Sequence, residues 1–189
     1  MKKARISEFR LLALAILILA VSYYLDNQVS LYFKDTDSIT FKTIFGVVTN
    51  MEFIFVIIIL TPSILLHKKN KKSIYLLWLT AFISFVLAFI LKLIVLRDRP
   101  ADVLIFPFTN IIDYSFPSMH AMIVFSVLPL LASSLPKYRH FWVLFAFAVA
   151  FSRVYFRFHF LSDVVFGALA GYFIGNWLFD LHKRGKVWK

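Results

Sequence analysis

No cysteine occurs among the 189 residues, which excludes disulfides, thiol nucleophiles and thiolate metal sites. Acidic side chains are scarce as well, ten against twenty-one lysines and arginines. There is no internal repeat, no stretch composed like a soluble domain, and no basic-aromatic motif of the kind that grips nucleic acid. The net charge of +11 therefore needs another explanation than a nucleic-acid surface. Charge is also missing over long intervals, and this absence sets the class of the chain.

What fills those intervals is apolar: 61% of residues are hydrophobic and 19% aromatic, with a mean hydropathy of +0.80. Soluble domains are far more polar. Six segments approach the roughly 20 residues that a bilayer-crossing helix needs: 11–25, 47–66, 74–96, 119–135, 141–156 and 164–181. The expected fold is an all-α, polytopic membrane protein, one six-helix bundle over residues 1–189. Pro62 and Pro129 fall inside segments and are expected to kink them, because neighbouring helices can satisfy the freed backbone groups.

The basic start, Lys2, Lys3 and Arg5 before an apolar run, resembles a signal peptide with Ala20-Val21-Ser22 as a cleavage site. With five more spans behind it, the reading adopted is an uncleaved first helix. Between the first two spans, 27–46 is too polar to cross, yet Ile39, Phe41, Ile44, Phe45 and Val48 recur at roughly helical spacing. This predicts a short helix in the outer interface, capped by Asp37 or Ser38, with an ordinary loop as the alternative.

Orientation follows from the cations. Lys2, Lys3, Arg5 and Arg10, then Lys68, Lys69, Lys71 and Lys72, then Lys137 and Arg139, then Lys183, Arg184, Lys186 and Lys189 all fall on one side. The positive-inside rule places that side, and both termini, in the cytoplasm of a cell-membrane protein. Their attraction to anionic lipid accounts for most of the net charge. Of the seven remaining cations, Lys92, Arg97, Arg99, Arg153 and Arg157 cluster with the polar motifs on the opposite face.

Those motifs lie at 92–100, 117–120 and 152–163, each at the outer end of a predicted span. Lys92 precedes Arg99 by about two helical turns, so both can point to one side. Either alone also fits an interfacial snorkelling side chain, and Arg97-Asp98-Arg99 fits a solvated charge cluster. Ser118 follows Pro117 where a helix begins, a place that favours an anion but equally a plain cap. His120 has an interfacial histidine as its bland alternative. His159 and Asp163 are four apart, so on a helix the carboxylate can accept from one ring nitrogen and leave the other as nucleophile or base. Such a pair also suits a metal. Three cations around it repel a metal ion and suit phosphate oxygens, so no metal or cofactor is expected.

The three motifs resemble those of the type-2 phosphatidic acid phosphatase superfamily, which shares its site with vanadium haloperoxidases and glucose-6-phosphatase. The family pattern K-x6-RP, PSGH and SR-x5-H-x3-D is matched by Lys92 to Pro100, Pro117 to His120, and Ser152 to Asp163. The only departure is Met119 at the glycine of PSGH, whose side chain either narrows the site or faces lipid. The resemblance implies that His159 attacks phosphorus, Asp163 orients it, and His120 protonates the leaving oxygen and later activates water. It further implies that Lys92, Arg99, Ser118 and Arg153 bind the phosphoryl group, with Ser152 in support.

The implied activity is hydrolysis of a lipid phosphomonoester or diphosphate at the outer leaflet, with undecaprenyl diphosphate, phosphatidylglycerophosphate, phosphatidate and lipid A phosphates as candidates. Transfer of the phosphoryl group to a lipid or sugar alcohol is the enzymatic alternative. A lipid-phosphate transporter is the non-enzymatic one, disfavoured because the middles of the spans hold no ionisable chain to continue a path. The bilayer is the expected partner, and oligomeric state is not legible.

The charge partition makes a direct prediction about topology. Since the chain has no cysteine, single cysteines can be introduced at Thr109 and at Asn70. An impermeant thiol reagent on intact cells is expected to label the first and not the second; the reverse pattern places the motifs in the cytoplasm.

Overall fold

A computed structural model describes residues 2–36, 38–101 and 114–185, with side chains from residue 10 onward. Asp37 and Thr109, invoked above, lie outside the described residues. Every regular element among those described is a helix. They are α1 (Lys2–Lys34), α2 (Ile39–Thr49), α3 (Met51–His67), α4 (Lys71–Val95), α5 (Met119–Ser134), α6 (Arg139–Tyr155) and α7 (Leu161–Lys183), with a 3-10 turn at Pro136–Tyr138.

The helix ends obey local chemistry. Ser38, Asn50, Asn70 and Ser118 cap α2, α3, α4 and α5, each side chain accepting from an amide of the first turn; such a cap contributes about 1 kcal/mol. Two ends need unusual backbone instead. Leu96 (φ 51°) terminates α4 and Arg157 (φ 55°) follows α6, both in the left-handed region. For side chains with a Cβ this costs about 1–3 kcal/mol each, and both positions turn the chain into the polar motifs. Inside α3, Val56–Leu60 forms a π-turn just before Pro62. The wider turn makes room for the proline ring, and Thr61 and Ser63 hydroxyls donate to the carbonyls of Val56 and Ile59.

Several boundaries differ from those read in the sequence. The helix predicted at 11–25 continues to Lys34, so residues 27–34, read as linker, are helical. Polar residues mislead there because Asp26 and Ser30 are buried against the bundle rather than solvated. The segment read as 47–66 begins at Met51, since residues up to Thr49 belong to α2, and the two helices meet at Asn50 with a bend of 55°. Ser38 is the cap of α2, as one of the two alternatives had it.

Among the described residues, three helices are long and apolar enough to cross a bilayer, Arg10–Lys34 of α1, α4 and α7; α2 with α3 makes a fourth if the bent pair counts as one span. Large apolar side chains cover the outside of these helices, among them Leu14, Phe82, Phe173 and Trp177. A surface of this kind requires a hydrocarbon solvent. The chain is a multi-pass membrane protein.

At the centre stands α5, a 16-residue helix buried on nearly every side, with α4, α6 and α7 packed around it. Contact with α7 is made backbone to backbone along a stripe of small residues, Gly167, Gly171 and Gly175. A Cβ at Gly171 would stand 2.2 Å from the carbonyl oxygen of Met122, and one at Gly175 1.7 Å from that of Ser126. Without a hydrophobic driving force between helices in lipid, such close approach is what holds two helices together. It also brings the amino terminus of α5 beside that of α7, where the amide of Ser118 donates to the carbonyl of Asp163 at 3.1 Å.

Gly171→Val is therefore expected to destabilise the protein by about 1–3 kcal/mol or more, read as a lowered melting temperature in detergent. Gly46→Ala, where a Cβ meets nothing within 4 Å, is the control and should not lower it. Equal melting temperatures for the two variants contradict the packing described.

Candidate active site

The first motif leaves the carboxy-terminal end of α4. Lys92, in the last turn, is 2% exposed and its ammonium donates to the carbonyl of Tyr114. The left-handed turn at Leu96 then separates the two arginines that follow. Arg99 stays with Lys92 at a cavity, and donates to the carbonyl of Phe158 at 2.6 Å. Arg97 turns away toward α1 and α7.

The second motif opens α5. Ser118 is fully buried, and its hydroxyl oxygen accepts from the amide of Ala121 at 3.5 Å. Its side chain is a helix cap and is not among the groups that line the cavity. Met119 and His120 do line it. Met119 packs with Ala88, Phe89 and Met122, so of the two alternatives for this residue it takes the one that narrows the site.

The third motif joins α6 to α7. Ser152 is buried and donates back to the carbonyl of Val149 at 2.7 Å, within its own helix. Arg153 reaches the cavity, donating through one terminal nitrogen to the hydroxyl of Thr49 at 2.6 Å and lying 4.5 Å from the centre of the Phe158 ring. Its Nε is buried with no hydrogen-bond partner among the described residues. After the turn at Arg157, held by Ser30 and the carbonyl of Pro100, the amides of Phe158 and His159 both donate to the carbonyl of Arg153.

His159 stands before α7, which begins at Leu161, so the i,i+4 geometry expected of His159 and Asp163 does not arise. Nδ1 of His159 is 2.6 Å from the carbonyl oxygen of Ser115. A carbonyl only accepts, so Nδ1 carries the proton and, in the neutral ring, Nε2 keeps the lone pair. Asp163 stands one step behind. Its carboxylate accepts from the hydroxyl of Ser115, from the amide of Phe160 at 2.8 Å, and from Arg97 at 2.7 Å. Ser115 is held a second time by its own amide, which donates to the carbonyl of Arg97.

The cavity measures about 480 Å³. Lys92, Arg99, Arg153, His120 and His159 form its polar wall; Met51, Phe85, Phe89, Met119 and Phe158 form the apolar one. Three cations converging on one cavity favour the charged oxygens of an anion there. Burial first, then the charges of Arg153, Lys92 and Arg99 and the neighbouring His120, hold the imidazole of His159 well below its usual value. It is therefore neutral at physiological pH. Among the described residues, no three His, Asp or Glu side chains gather as a metal ion would require.

The structure thus brings together Lys92, Arg99, Met119, His120, Arg153 and His159, and places Ser118, Ser152 and Asp163 behind the wall. Sequence reasoning missed Thr49, Ser115 and Asp26, and saw in Arg97 only one of the cations clustered with the motifs. Thr49 and Ser115 carry no signal in the sequence. A carboxylate at the end of an apolar run is a signal, and for Asp26 it went unread.

Comparison with known proteins bears on the family and the fold. The chain is 33% identical over 139 residues to an undecaprenyl-diphosphatase of Sulfolobus acidocaldarius, a match covering 66% of this chain and 60% of that one. The matched region thus spans less than two thirds of that relative's length. The fold is similar to the crystal structure of a transmembrane PAP2 type phosphatidylglycerolphosphate phosphatase from Bacillus subtilis, with TM-score 0.71 and 18% identity over 94% of this chain and 98% of that one. It is also similar to LpxE of Aquifex aeolicus, with TM-score 0.68 and 23% identity over 82% and 95%. The profile of the PAP2 superfamily matches residues 71–186, the stretch holding all three motifs, and the chain belongs to that superfamily.

Proposed function

We propose that this protein is an integral-membrane lipid phosphatase that cleaves a phosphomonoester or diphosphate at the outer leaflet through a phosphohistidine intermediate. The observation that carries the reading is a cavity in which a neutral histidine with a committed Nδ1 meets the buried Lys92 and Arg153 and the partly exposed Arg99. Nε2 of His159 attacks phosphorus as the bond to the lipid oxygen breaks. His120 gives that oxygen a proton. The charge on the phosphoryl oxygens is met by Lys92, Arg99 and Arg153, and by the first amides of α5, which Ser118 positions as cap. Water, deprotonated by His120, then attacks the phosphohistidine, releasing phosphate and restoring the neutral ring. The apolar wall receives the chain next to the phosphate, consistent with substrates named for the relatives above.

Six crossings complete the proposal. Helices α5 and α6, at 16 and 17 residues, are about 24–26 Å long, somewhat short of the roughly 30 Å hydrocarbon core. Helix α2, exposed and apolar with no buried residue, lies in the outer interface, and both termini are cytoplasmic.

His159→Ala is expected to lower phosphate release from lipid phosphates roughly a thousandfold or more, and to abolish an acid-labile phosphoenzyme seen on rapid quench. His120→Ala should slow a lipid alkoxide leaving group far more than nitrophenyl phosphate, whose leaving group needs no acid. Wild-type turnover in a folded His159→Ala contradicts the proposal.

The pH dependence has a definite sign. A histidine held below its usual value stays neutral to lower pH, and activity falls as pH drops through its folded value. Removing one nearby cation raises that value. Arg153→Gln is expected to move the acid limb of kcat/KM upward relative to wild type on the same substrate; an unmoved or lowered limb contradicts the electrostatic account.

A further inference from the structure

Helix α1 lies outside the stretch matched by the family profile, yet it sends one carboxylate into the network behind the site. Asp26 is 4% exposed. Its Oδ1 accepts from the amide of Ser162 at 2.8 Å, and its Oδ2 accepts from the hydroxyl of Ser162 at 2.6 Å and from Arg97 at 2.7 Å. Arg97 uses its other terminal nitrogen on Oδ1 of Asp163 and on the hydroxyl of Ser162. One planar guanidinium is thus shared between two carboxylates.

Sharing matters because an arginine facing a single carboxylate tends to take both of its oxygens. Here Arg97 takes only Oδ1 of Asp163, which leaves Oδ2 for the hydroxyl of Ser115 and the amide of Phe160. The hydroxyl of Ser115 fixes the peptide whose carbonyl receives Nδ1 of His159. Resting on the phosphatase reading above, we propose that Asp26 is a positioning residue: by holding half of the Arg97 guanidinium, it keeps Asp163 free to fix Ser115 and thereby the orientation of His159. The competing role is a simple clamp that fastens α1 to α7. A clamp predicts loss of fold, whereas positioning predicts loss of turnover in a folded protein.

The test is full-length protein in detergent, with melting temperature, kcat, KM and the inhibition constant for inorganic phosphate measured on wild type, Asp26→Asn, Ser115→Ala and the double variant. Wild-type protein without phosphate release on any lipid phosphate would refute the phosphatase reading itself. Given active wild type, Asp26→Asn is expected to lower kcat about ten- to hundredfold, the scale of a small misplacement. Phosphate inhibition should stay within about twofold, because the cations that bind it are untouched. Added to Ser115→Ala, Asp26→Asn should cost little more, since both act on one path.

Wild-type kcat in folded Asp26→Asn overturns the proposal, and so does parallel loss of phosphate binding or full multiplication of the two effects. If Asp26→Asn does not fold, Ser162→Ala, which removes one donor to Asp26, should show the same pattern in smaller measure. Loss of fold, or unchanged kcat, in Ser162→Ala then decides for the clamp.

Discussion

One buried carboxylate joins the parts of this protein that matter most. Asp163 takes the hydroxyl of Ser115, the amide of Phe160 and the guanidinium of Arg97, and its own carbonyl receives the amide of Ser118. The segments after α4, before α5 and before α7 are thereby tied at one point. In a medium that offers no competing water, each of those bonds must be made or its groups left stranded. The backbone contact along Gly167, Gly171 and Gly175 brings the helices near enough for the tie to form.

From that tie the site follows. Ser115, held by its hydroxyl and its amide, presents a carbonyl to Nδ1 of His159. The ring is oriented without a direct bond to the carboxylate. The five cations near the motifs then divide by task. Lys92, Arg99 and Arg153 face the cavity, where their charge favours an anion and, after burial, helps to keep the histidine neutral. Arg97 and Arg157 turn toward Asp26 and Ser30 of α1 and hold the wall in place.

Much of this was legible in the sequence, and the reasons are physical. Hydropathy located the long helices among the described residues, and helical spacing the short α2, because an apolar run has few other fates at this length. The motifs held Lys92, Arg99, Met119, His120, Arg153 and His159 of the cavity wall, but not Thr49, Phe85 or Phe89. Where the reading went astray, polarity had been equated with exposure. Residues 27–34 passed for linker because Asp26 and Ser30 are polar, though both are buried. His159 and Asp163 were placed on one helix face, though the helix starts at Leu161 and the i,i+4 rule has no purchase before it. Thr49 and Ser115 act through partners that only the folded chain supplies, and a single sequence carries no trace of such pairings.

The central claim is that His159 is a neutral imidazole whose Nδ1 bears the proton and whose Nε2 is free to attack. Nitrogen-15 NMR of histidine-labelled protein in detergent reads this directly, since the chain has five histidines and His159→Ala identifies the signals by their loss. The account predicts, at neutral pH, a protonated-type shift at Nδ1 and an unprotonated-type shift at Nε2. A doubly protonated ring, or the tautomer with the proton on Nε2, would contradict it.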